Sequence, residues 1–116
     1  MKIKLYQLFN SIEALNVLRT CKMDTLKAYQ LRKLYNEIKP EIDIIGEVRQ
    51  ELIKKHKLIT KNGNYIVTSD FARDFSTLLD KEVELKELKK SMLNIEDIAE
   101  NKLELKVLDE LAWLIK

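Results

Sequence analysis

The apolar positions change period several times along the chain, and each change marks an element. Lys2, Ile3, Lys4 and Leu5 alternate with period two. That pattern predicts a short strand over residues 2–8 with Ile3 and Leu5 on its covered face. Asn10 stands three residues before Glu13, an asparagine form of the capping box, so a helix is expected from Ser11. Leu8, Ile12, Leu15 and Leu18 form one stripe at helical spacing, and the helix should end near residues 20–22. Asp24 is a good N-cap for the next stretch. There Leu31, Tyr35, Ile38, Ile42, Ile45 and Leu52 keep a helical period, with Arg49 interrupting it. Pro40 lies in the middle, where it removes the hydrogen bond to the Asn36 carbonyl. Two outcomes stay open over 24–57: one long helix kinked at Pro40, or two helices with Pro40 opening the second.

Residues 58–68 carry the clearest local signal. Asn62-Gly63 is the preferred type I′ turn, and its flanks Ile59-Thr60 and Tyr65-Ile66-Val67 are β-prone, so a hairpin is expected. Thr68 or Ser69 then caps a helix over 70–80 with Phe71, Phe75, Leu78 and Leu79 on one face. Residues 82–93 read two ways. Val83 and Leu85 alternate with Glu82, Glu84 and Lys86 as a strand would, while Leu85, Leu88 and Met92 would equally continue a helix. A strand over 82–89 could pair with the opening strand. Asn94 with Asp97 resembles another cap. Leu105, Leu108, Leu111, Ala112 and Ile115 read as a last amphipathic helix over 104–115. The expectation is one α+β domain, mostly helical, over residues 1–116.

Composition narrows the function classes. Two glycines and one proline are too few for a β-sandwich or barrel, and two glycines cannot build a phosphate loop or dinucleotide fingerprint. One cysteine excludes an internal disulfide, and one cysteine with one histidine excludes a typical zinc site. No metal or cofactor is expected. No run approaches the ~18 apolar residues of a membrane span, and the opening has no apolar signal core. With the lone Cys21, this reads as a protein of a reducing cytoplasm, without membrane contact. The formal charge is +2, but it is unevenly spread. Residues 1–61 hold 13 basic and 7 acidic side chains; residues 62–116 hold 8 and 12. The split suits solvated helix faces, head-to-tail self-association into a homo-oligomer, or a basic surface meeting an acidic partner.

The chemistry-bearing residues are few. His56 ends the stripe of the long segment among Lys54, Lys55 and Lys57, where the helix dipole favours a cation. No motif supplies it with a nucleophile or carboxylate partner. A basic neighbour such as Lys22 would lower the thiol pKa of Cys21, which still reads as a structural, buried or half-buried side chain. Glu82 with Glu84, or Asp70 with Asp74, would be the candidate carboxylate pairs; in an acidic half they read as surface. Tyr29 and Tyr35 sit on a helical stripe, which suggests core packing. Tyr6, Tyr65 and Trp113 are open to interface roles, with half-burial or an oligomer contact expected at Trp113. Arg49, Lys54, Lys55, Lys57 and Lys61 lead into the hairpin. Helix, hairpin and capped helix in that order match the tail of a winged-helix domain, which would make the chain a DNA-binding regulator. Glu47 and Glu51 on the presumed recognition helix, and the small net charge, weigh against it.

The order of features resembles a family of small proteins of unknown function encoded by tailed bacteriophages and prophages. The resemblance is carried by Lys2-Ile3-Lys4-Leu5, Ile12-Glu13-Ala14-Leu15 with Leu18, and Ala28-Tyr29 with Leu31, Lys33 and Leu34. It continues through Arg49-Gln50-Glu51-Leu52-Ile53-Lys54-Lys55, Gly63-Asn64-Tyr65-Ile66-Val67, Leu78-Leu79 and Glu82-Val83-Glu84-Leu85. It implies a strand after Leu79 paired with the opening strand, and a helical hairpin arm in the middle. The chain departs at Pro40 and at His56-Lys57, where a Tyr-Gly turn is more usual. The resemblance implies a phage origin and no reaction. The function expected is therefore non-enzymatic binding of a host or phage protein, as an inhibitor of a host or defence component or as a virion assembly factor. The residues offered for contact are Arg49, Lys54, Lys55, Lys57, Lys61, Tyr65 and Trp113. A DNA-binding regulator is the second reading, and a small-molecule sponge within an oligomer the third.

Overall fold

A computed structural model describes residues 1–89 and 92–115. It is α+β and mostly helical, as the apolar periods require. Strand β1 (Lys2–Lys4) leads directly into helix α1 (Leu5–Phe9), and α2 (Ile12–Arg19) follows after two residues. Helix α3 (Thr25–Lys55) is 31 residues long. A two-stranded hairpin, β2 (Thr60–Lys61) and β3 (Asn64–Tyr65), precedes α4 (Ser69–Leu79) and β4 (Glu82–Glu84). Two short 3₁₀ turns and α5 (Leu105–Glu110) complete the chain. At about 1.5 Å per residue α3 is roughly 46 Å long. It therefore runs the full length of a molecule measuring 47 × 31 × 18 Å.

The opening departs from the expectation of a strand over 2–8. The strand stops at Lys4 because its antiparallel partner β4 is only three residues long, with Ile3 opposite Val83. The Leu5 N–H donates to the Lys81 carbonyl at 2.9 Å, and the chain then turns into α1. Ile3 and Leu5 are both buried, as the alternation implied. The expected Asn10–Glu13 capping box is absent; Ser11 is the N-cap of α2, with no side-chain cap bond.

Helix α3 resolves the ambiguity at Pro40 in favour of one helix, and no helical hairpin arm forms. Asp24 Oδ2 accepts from the Leu26 N–H at 3.2 Å and starts it. Pro40 and Asn36 are both exposed, so the carbonyl that loses its donor faces solvent. Leu34 and Ile38 before the proline, and Ile45 and Ile53 after it, are all buried. Packing on both sides outweighs the local cost of the proline. The helix rests on α1 and α4. Its end is unusual: His56 is the C-cap, and Lys57 follows with φ 50°, a left-handed conformation that favours glycine. Lys57→Gly is expected to stabilise the fold by about 0.5–1 kcal/mol, read as a higher urea midpoint at unchanged slope.

The hairpin turns as its residues demand, with Asn62 at φ 54° and Gly63 at φ 81°. Thr68 Oγ1 accepts from the Phe71 N–H at 3.2 Å and caps α4, whose Phe71 is buried. Phe75 meets Phe9 edge-on at 5.2 Å. Over 82–93 only β4 is regular; residues 90–91 lie outside the described residues. The Asn94 cap is real but opens a 3₁₀ turn, with the Asn94 N–H donating to Asp97 Oδ2 at 2.9 Å.

The last helix is shorter than the expected 104–115. It ends at Glu110, and Leu105 is 72% exposed rather than part of the buried stripe. Leu111 and Leu114 reach the core from turns, and Ile115 forms a parallel bridge with Leu93. These pairings pull the chain out of the helix.

Candidate functional site

The hairpin 58–67 springs from the C-terminal end of α3. At its base His56 Nε2 donates to Asp74 Oδ2 on α4 at 2.8 Å, and Lys55 Nζ lies 3.6 Å from the same oxygen. The His56 ring stands edge-on to Phe71 at 6.2 Å. The hydrogen bond from His56, helped by the charges of Lys55 and Arg73, holds the Asp74 carboxyl below its ordinary 3.8. The meeting of Asp74 with His56 was not legible from motif spacing, and Asp74 supplies the carboxylate partner that His56 lacked in the sequence. The Asp70–Asp74 pair does not exist as such: Asp70 is bound to Arg73 at 3.2 Å.

The ionised Asp74 stabilises this joint above its ordinary pKa, and the contribution is lost as pH falls through the lower native value. Asp74→Asn is therefore expected to flatten the fall of the thermal midpoint below about pH 4. Equal slopes for variant and parent would show that the joint carries no such linkage.

Above the joint, the hairpin presents apolar side chains to solvent. The Ile66 N–H donates to the Ile59 carbonyl at 2.8 Å, which places the two isoleucines opposite each other, and they are 66% and 45% exposed. Lys61 and Asn64 share that face by the two-residue strand period. Tyr65, opposite Thr60, faces the other way and is half-exposed, and Val67 is open to solvent. Lys57 and Lys61 are exposed beside the pair.

The structure does not bring the expected basic set together. Going round α3 from Arg49, Lys54 lies at about 140° and Lys55 at about 240°. Glu47 and Glu51 fall on the exposed face between those two lysines. Arg49 is half-buried, and Lys55 is engaged by Asp74. Trp113 is far from the hairpin in role: its Nε1–H donates to Ser11 Oγ at 2.8 Å, an internal joint. Tyr29, expected in the core, is 60% exposed at the other end of α3. Cys21 is half-buried as expected, but burial pushes its thiol up; the lysine beside it does not lower it.

Among the described residues no group of three His, Cys, Asp or Glu side chains could hold a metal ion. No helix among them is long and apolar enough to cross a membrane. No family model, curated protein or solved structure matches the chain. The site is therefore read from its own chemistry. The sequence did hold one overlooked signal: a two-residue Asn-Gly turn fixes Ile59 opposite Ile66, so their pairing could have been counted outward from the turn.

Proposed function

We propose that the chain is a non-enzymatic, phage-encoded binding protein whose hairpin 58–67 docks on a protein bearing an acidic, apolar surface. The carrying observation is the outward Ile59–Ile66 pair, with Tyr65 and Val67 also exposed. Apolar side chains clustered on an exposed hairpin and rimmed by charge mark an interaction site. Lys57 and Lys61 give the rim its sign and favour an acidic partner. The His56–Asp74 joint ties the end of α3, from which the hairpin leaves, to α4, and a fixed base lowers the entropy lost on docking. The resemblance to phage proteins supports a host or phage protein as partner, with inhibition of a host or defence component, or virion assembly, as the role.

The test compares proteins retained from host lysate by the native chain and by the double variant Ile59→Asp, Ile66→Asp. A partner retained only by the native chain, then bound by purified components at least about tenfold more tightly than by the variant, supports the reading. Identical retained sets overturn it. Self-association lost in the variant would make the partner a second copy. Binding of duplex DNA that weakens steeply with salt would move the function to the regulator reading.

A further inference from the structure

We propose that a second site, the cleft between α2 and the N-terminal half of α3, binds an organic carboxylate with an apolar body. The cleft encloses about 410 Å³. That lies within the ~300–1,000 Å³ common for small-molecule sites. Leu15, Leu34 and Ile38 give it an apolar floor, and Arg19, Arg32 and Lys39 line it as cations. None of its lining residues is acidic.

The cations are not equivalent. Lys39 is held by Asp43 at 3.0 Å. Arg19 is oriented without a carboxylate: its guanidinium carbon sits 4.3 Å above the Tyr35 ring, and Nη1 donates to the Tyr35 hydroxyl at 3.2 Å. Among the described residues no carboxylate lies within ion-pair distance of Arg19 or Arg32. Two guanidinium groups thus stand beside an apolar floor with donors to spare. A guanidinium matches a carboxylate through paired N–H donors, and the apolar floor strengthens the attraction by excluding water. The head of the ligand is taken by Arg19 and Arg32, and its apolar body lies on the leucines. This site is independent of the hairpin: Tyr35 and Lys55 are separated by about 30 Å along α3.

Cys21 also lines the cleft and reports on its occupancy. Titration calorimetry of the full chain with octanoate is expected to show saturable one-to-one binding. Octanol, the uncharged analogue, and the variant Arg32→Glu should each bind at least about tenfold more weakly. Arg32 is exposed, so the variant keeps its fold, which an unchanged thermal midpoint verifies. Saturating octanoate should slow modification of Cys21 by a thiol reagent, while the hairpin double variant should bind octanoate as the native chain does. Absence of saturable binding, equal affinity for octanol, or Cys21 reactivity unchanged by octanoate would each overturn the proposal.

Discussion

Replacing Ile45 with alanine is expected to destabilise the fold by about 2–5 kcal/mol, whereas the same change one residue earlier, Ile44→Ala, leaves it within about 0.5 kcal/mol. The two isoleucines share one helix, one neighbourhood of sequence and one chemistry. Ile45 is 1% exposed and belongs to the core that joins α3 to the rest of the molecule; Ile44 is 50% exposed. Truncating Ile45 removes buried methyl and methylene groups and leaves a cavity that close-packed neighbours only partly fill. Truncating Ile44 removes area that is already half in water, and alanine's better helix propensity offsets part of that loss. A domain of this size has a total stability of roughly 6–17 kcal/mol, so the first change is a large fraction of the whole. Thermal melts of both variants decide the matter: a fall of roughly 10 °C or more for Ile45→Ala beside a shift of a degree or two for Ile44→Ala. Similar midpoints for the pair would mean that α3 faces the core differently.

That contrast shows where periodicity reads well. Ile38 and Ile45 are seven residues apart, two helical turns, and both are buried. The caps were legible for a similar reason. Asp24, Thr68 and the Asn62-Gly63 turn act within three residues of themselves and form as expected, whereas the equally local Asn10–Glu13 box does not. Leu34 and Ile53 are equally buried but lie outside the stripe of Leu31, Tyr35, Ile38, Ile42, Ile45 and Leu52, because the buried face of α3 is wider than one row of side chains.

The misread elements depend on partners far along the chain. The opening strand ends at Lys4 because β4, about eighty residues later, offers three residues to pair with. The last helix ends at Glu110 because Ile115 pairs with Leu93 and the Trp113 indole is claimed by Ser11. Pro40 is a local breaker that loses to buried residues on both sides of it. At the hairpin the turn was legible but its exposure was not. Which face of a two-stranded ribbon is covered depends on what packs against it, and no helix covers the Ile59–Ile66 face enough to bury it. The basic run before the hairpin does not form one patch on α3, for a geometric reason. Closeness in sequence disperses Arg49, Lys54 and Lys55 around a helix instead of placing them side by side.

Ser11→Ala is expected to destabilise the protein by about 1–3 kcal/mol, far more than the loss of a surface hydroxyl. Ser11 is the one polar residue among the buried described residues. Its hydroxyl contacts the Gln7 carbonyl, lies 2.8 Å from the Glu110 carbonyl and accepts the Trp113 Nε1–H at 2.8 Å. One oxygen thus ties the junction of α1 and α2 to the segment that follows α5. Alanine fits the space but strands an indole N–H and a carbonyl away from water, and a stranded buried polar group costs more than a formed bond gains. Trp113→Phe removes the indole donor and leaves the Ser11 proton with its two carbonyl acceptors. The two changes should therefore be coupled, with the double variant less destabilised than the sum of the singles by about 0.5–1.5 kcal/mol. Trp113 is the only tryptophan, so its emission reports the joint directly. Ser11→Ala should shift that emission along with the midpoint. An unchanged spectrum and strictly additive midpoints would show that the C-terminal segment is held by Leu111 and Leu114 alone.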